Sequence, residues 1–171
     1  MIYTIGHSTH PIEVFIALLQ AHGILQLADV RTIPASRRHP QFGQARLSAS
    51  LQQHGILYRH VVALGGLRKP LAHSVNTGLR NGGYRGYADH MQSGEFLDAF
   101  DQLIGFSRVA PTVIMCAELR YVECHRQLLA DALLVRDVPV LHIVPGAQAK
   151  PHTLSGFARV QGRKVTYPGL V

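Results

Sequence analysis

Strand-length segments alternate with helix-length segments through the first 144 residues, and the strand-length segments are almost unbroken apolar runs. Residues 2–5, 24–29, 56–61, 112–116 and 138–144 show little polar alternation. Such strands need cover on both faces, as in a parallel sheet layered between helices. The intervening segments carry helix signals. Pro11 suits a first turn, with Glu13 near its positive end, Val14, Phe15, Leu18 and Leu19 on one face and Gly23 as a stop. Ser93 caps a second clear helix whose first turns hold Glu95, Asp98 and Asp101. Residues 45–54 and 122–135 read as two more. The expected fold class is α/β, a single domain with a mostly parallel sheet and helices on both faces in a Rossmann-like, three-layer arrangement. Residues 32–44 and 64–86 are read as irregular. Residues 145–171 are read as a basic C-terminal extension, either adding an edge strand at 164–167 or partly disordered.

A chain of 171 residues with 47% hydrophobic and 16% charged residues is one ordinary globular domain and excludes bulk disorder. Its apolar runs are far shorter than a membrane span. The first five residues resemble a strand and not a leader, and two cysteines make no disulfide framework. A cytoplasmic protein with reduced thiols and no membrane partner is expected, and a homo-oligomer stays open.

The net charge of +7 is unevenly placed. Residues 30–88 hold nine basic side chains and no acid, and residues 145–171 hold four and none. Fourteen of the seventeen basic residues are Arg, the side chain suited to forked contacts with phosphate or carboxylate. This points to an anionic small molecule or nucleic acid as partner; a solvated, Arg-rich face is the alternative.

In open α/β sheets, ligands bind beyond the carboxyl ends of the strands. Three expected strand ends carry reactive groups: Gly6-His7-Ser8, Asp29-Val30-Arg31 and Cys116-Ala117-Glu118. His7, Asp29 and Glu118 are candidate acid/base groups. Cys124, expected in the first turn of the following helix, is a candidate nucleophile, because free amides and the helix dipole there lower a thiol pKa. Ser8, Arg31, Arg85, Tyr87, His125 and Arg126 are candidate ligand-binding residues. Arg85, between Tyr84 and Tyr87, suits base stacking combined with phosphate contact. Each has a plainer reading: an Asp29–Arg ion pair, a Ser8 helix cap, core cysteines. The absence of GxGxxG, Walker A, GxSxG, CxxC and HExxH from the sequence argues against a standard dinucleotide, phosphate-loop, hydrolase or metal site. No cofactor or metal is expected.

The ensemble Thr4-Ile5-Gly6-His7-Ser8, Asp29-Val30-Arg31 with Pro34 and Ser36, Leu64-Gly65-Gly66, Arg85-Gly86-Tyr87-Ala88, and Met115-Cys116-Ala117-Glu118 with Cys124-His125-Arg126 resembles the DUF488 family of bacterial and archaeal proteins over about residues 1–144. The resemblance implies a common site at these positions and supplies no reaction. A looser likeness in plan is to rhodaneses and cysteine phosphatases, with Cys116 in the catalytic place; the Cys-x5-Arg signature is missing, since Val122 stands six residues after Cys116.

Three functions follow as expectations. The first is an enzyme that binds a phosphate-bearing ligand, a nucleotide or nucleic-acid component, and acts by hydrolysis or group transfer. It would use Glu118 or Asp29 with Arg31, Arg85 and Arg126. The second is a non-catalytic nucleic-acid binding module. The third is sulfur-transfer or phosphatase-like thiol chemistry at Cys116 or Cys124.

Overall fold

A computed structural model describes residues 1–169. Five parallel strands are built from the apolar runs: β1 (Ile2–Gly6), β2 (Gln26–Asp29), β3 (Leu57–His60), β4 (Thr112–Cys116) and β5 (Val140–His142). With the antiparallel β6 (Lys150–Pro151) they make a six-stranded sheet in the order β3-β2-β4-β1-β5-β6. The expected α/β class, a mostly parallel sheet with helices on both faces, is the one observed.

Strand side chains alternate between two cores. Val113 and Met115 of β4 join Ile5 and Leu27 under α1 (Ile12–Ala21) and α2 (Gln44–Gln53), where Phe15, Leu19, Leu47 and Leu51 are buried. Ile114 and Cys116 face the other way, towards α3 (Gly82–His90), α4 (Gly94–Val109) and α5 (Arg126–Val135), where Tyr87, Phe96, Phe100 and Leu129 are buried. β2 and β4 are buried throughout, whereas the edge strand β3 alternates exposed and half-buried residues.

Several expectations need correction. Helix α3 begins inside the segment read as irregular and runs beyond it. Gly82, Gly83 and Gly86 hide it, because glycine is a poor helix former; the Asn81 side chain caps it by accepting from the Tyr84 amide, and tertiary packing of Tyr87 holds it. The helix expected over 122–135 begins only at Arg126. Tyr121–Glu123 forms a separate 3-10 turn, and Cys124 is extended. Residues after 144 pack into the domain. β7 (Arg159–Gln161) and β8 (Lys164–Thr166) pair as their own hairpin instead of extending the main sheet. Val165 and Tyr167 are fully buried against the core that holds α5.

A buried dithiol beneath a strand-end cavity

β4 lies between β1 and β2, in register Gly6↔Cys116 and Asp29↔Met115, so three strand ends meet side by side. The loops that leave them enclose a cavity of about 380 Å³. Its walls come from His7 after β1, Arg31 to Ile33 with Ala35 and Ser36 after β2, Gly66 and Leu67, and Asn81 and Tyr84 at the start of α3. Cys116, Ala117, Glu118 and Cys124 with its neighbours Glu123 and His125 complete it. Gly6 permits this closeness: a Cβ there would overlap the Glu118 carbonyl.

The two cysteines share the floor. Their Sγ atoms lie 2.7 Å apart, and the residues are 1% and 3% exposed. The Arg126 amide donates to Cys124 Sγ at 3.4 Å. His125 Nδ1 stands 3.5 Å from the same sulfur, and Nε2 donates to the Val30 carbonyl at 3.1 Å. That second bond places the imidazole proton on Nε2 and leaves Nδ1 to take the Cys124 proton. The imidazole thus bridges the Cys124 sulfur and the Val30 carbonyl.

Burial alone would push the Cys124 thiol up. Hydrogen bonding from Cys116 and His125, with the charges of His125 and Arg126, outweighs it and holds Cys124 well below the ordinary thiol value. Burial and the hydrogen bond to Cys124 push Cys116 well above it. The surroundings therefore push the two thiols in opposite directions, Cys124 being the more acidic. The Glu118 carboxylate lies 3.4 Å from the Cys116 sulfur.

Arg126 accounts for where the negative charge sits. It is 2% exposed and forms no ion pair with a carboxylate among the described residues. Its Nη2 donates to the Glu118 and Leu119 carbonyls, Nη1 donates to Thr4 Oγ1 at 3.4 Å, and Nε has no partner. A buried guanidinium needs an anion nearby, and the dithiol supplies it. Burial opposes the Arg126 charge, but the two cysteines more than compensate.

On the opposite wall Asp29 is fully buried and saturated. It accepts from Arg31 Nε at 2.9 Å, Arg31 Nη2 at 2.6 Å and the Tyr58 hydroxyl at 2.6 Å. Arg31 Nη1 turns to His7 Nε2 at 3.4 Å, while His7 Nδ1 donates to the Ser8 carbonyl at 2.9 Å. His7 stacks on Phe42 at 4.2 Å. Burial is the main cause that lowers its pKa to about 4, so the ring is neutral at pH 7.

Of the residues singled out from sequence, His7, Arg31, Glu118, Cys124 and His125 line the cavity. Asp29 and Arg126 stand behind its wall and position groups that do. Ser8, Arg85 and Tyr87 do not line it. Ser8 sits at a positive φ of 48° and shapes the turn after β1. The helical turn of α3 splits the aromatic–Arg motif. Tyr84 faces the cavity and Arg85 Nε donates to the Leu79 carbonyl. Tyr87 is buried with its ring 4.9 Å from His125 and its hydroxyl on the Leu64 carbonyl. Tyr84 itself was not singled out as a site residue, and neither was the pairing of Cys116 with Cys124, which is invisible until β4 and the loop before α5 are brought together.

Cys116, Glu118 and Cys124 also place three ligand-type atoms within 4.8 Å of one another. Two thiolates on one tetrahedral zinc stand about 3.7 Å apart, from bonds of about 2.3 Å; these sulfurs are closer, and a guanidinium sits beside them.

No helix among the described residues is long and apolar enough to cross a membrane. No curated protein and no solved structure matches the chain. Residues 11–133, which include β2, β3, β4 and both cysteines, match the family described as domain of unknown function DUF488, and the chain belongs to that family.

Proposed function

We propose that this protein is a thiol-based sulfur transferase in which Cys124 is the nucleophile and Cys116 the resolving thiol. The observation that carries this reading is the pair of facing sulfurs, 2.7 Å apart, with His125 and the Arg126 amide against Cys124. Acid/base hydrolysis at Asp29 is disfavoured, because every part of that carboxylate is engaged. Phosphatase chemistry is disfavoured because a second sulfur stands where an oxyanion cradle would surround the first.

In the forward step the Cys124 thiolate attacks the outer sulfur of an anionic sulfane-sulfur donor. A Cys124 S–S bond forms, the donor's S–S bond breaks, and its electron pair leaves with the donor fragment. Arg31 on the wall and Arg126 behind the floor favour a negatively charged donor. An acceptor nucleophile then takes the outer sulfur and returns the bonding pair to Cys124. Without an acceptor, Cys116 gives its proton to Glu118 and attacks the Cys124 sulfur. Hydrosulfide leaves, and a Cys116–Cys124 disulfide remains for an external dithiol to reduce.

The test uses thiosulfate as donor and cyanide as acceptor. The expected result is a protein gaining the mass of one sulfur on Cys124, thiocyanate production, and loss of both in Cys124→Ser. A protein that takes up no sulfur and whose Cys124 alkylates slowly at neutral pH would overturn the reading.

A second reading, nucleic-acid binding, is favoured by one observation. The loops that supply Ile33, Ala35, Ser36, Gly66 and Leu67 to the cavity also carry exposed Arg37, Arg38 and Lys69 in a stretch without acids. Binding of single-stranded RNA at low salt that falls steeply as salt rises would support it; no binding at low salt would remove it.

A further inference from the structure

The cysteine pair is one end of a buried polar chain that reaches the far side of α5. Arg126 Nη1 donates to Thr4 Oγ1 at 3.4 Å, and the Thr4 hydroxyl is hydrogen-bonded to His142 Nδ1 at 2.6 Å. His142 Nε2 is hydrogen-bonded to His152 Nδ1 at 2.9 Å, and His152 Nε2 donates to Asp131 Oδ1 at 2.8 Å. Asp131 is fully buried and also accepts from the Ser155 amide at 3.0 Å and the Tyr167 hydroxyl at 2.9 Å. Tyr121 stacks flat on His142 at 3.5 Å. The series runs without a break from the guanidinium to the carboxylate through both imidazoles. His152, Ser155 and Tyr167 all come from residues beyond 144.

We infer that Asp131 is a positioning residue for the dithiol: through His152, His142 and Thr4 it fixes the Arg126 guanidinium beside Cys124, so that the C-terminal segment completes the site. This rests on the thiol reading above. Arg126 lacks a carboxylate of its own, and Asp131 is the buried carboxylate to which its hydrogen bonds lead. Without that anchor, Nη1 loses its orientation and the guanidinium is free to turn from the sulfurs. The other titratable or charged groups that face Cys124 are Cys116 on β4, Glu118 in the following loop, His125, and Tyr84 and Tyr87 of α3. None belongs to the chain, so its effect is separable from theirs.

The experiment is the pH profile of Cys124 alkylation by iodoacetamide in the full-length protein, read by peptide mass spectrometry. Asp131→Asn and Thr4→Val are compared with Asp101→Asn, which removes an exposed carboxylate paired with Arg136. At a pH near the wild-type midpoint, both chain variants are expected to label about fivefold more slowly, the effect there of raising the Cys124 pKa by about one unit, while Asp101→Asn labels like wild type. If wild-type Cys124 itself reacts as an ordinary thiol, the thiol reading fails. If wild type reacts fast and the folded chain variants match it, the positioning role is overturned. Should Asp131→Asn not fold, Thr4→Val, which removes no charge, decides the matter alone.

Discussion

Cys116 Sγ faces Cys124 Sγ at 2.7 Å, although seven residues separate them in sequence. Their surroundings push the two thiols in opposite directions. Cys124 meets the Arg126 amide and His125, whereas Cys116 meets the Glu118 carboxylate.

Mild oxidation with diamide is therefore expected to join the two within one molecule. Mass spectrometry of the trypsin digest should find a Cys116–Cys124 linked peptide, labelling of both thiols should cease, and dithiothreitol should restore it. Disulfide-linked dimers in place of the internal bridge would refute the pairing.

Replacing Arg126 with Met keeps its bulk and removes the charge. The Cys124 pKa is expected to rise by about one to three units, the range for loss of an adjacent opposite charge. Because Arg126 Nε has no partner and the guanidinium no carboxylate, folding stability is expected to change much less than reactivity. Thiolate absorbance against pH, with a urea titration, measures both.

Asp29→Asn breaks a buried ion pair and strands Arg31. A loss of about 3–5 kcal/mol is expected, read as a lower urea midpoint. Tyr58→Phe removes one hydrogen bond to the same carboxylate and should cost about 1–2 kcal/mol. Equal effects would mean that Asp29 does not depend on Arg31.

Stability should fall as the solution is acidified. Burial lowers His7 to about 4, and lowers His142 to about 3 with help from the charges of His152 and Arg126. Between the unfolded value near 6.5 and these folded values, the unfolded chain binds protons that the folded chain does not. Stability is thus full above about pH 6.5 and declines towards pH 4, by on the order of a few kcal/mol. Urea midpoints at pH 7, 5.5 and 4 report the slope, and His7→Gln should flatten part of it. A slope that is unchanged in this variant would show that His7 is not the group responsible.

The layered sheet was legible because buried parallel strands must be apolar on both faces, and β1, β2 and β4 announce this plainly. The placement of reactive groups followed from one rule about strand ends, applied to His7, Arg31 and Glu118. What stayed hidden shares a cause. Helix α3 begins with two glycines, so local propensity gives no sign of a segment that Tyr87 holds in place by long-range packing. His142 and His152 look scattered in sequence, because only the antiparallel pairing of β6 with β5 brings His142 Nε2 within 2.9 Å of His152 Nδ1. Arg85 and Tyr87 were grouped by adjacency, which a helix converts into divergence.

Gly66 shapes the site by what it lacks. A methyl group there would stand 2.5 Å from His125 Nδ1, the atom that faces the Cys124 sulfur. Gly66→Ala is thus expected to leave the scaffold whole and swing the imidazole aside, parting it from the Cys124 sulfur in an intact fold. One hydrogen atom in place of one carbon keeps ring and sulfur face to face.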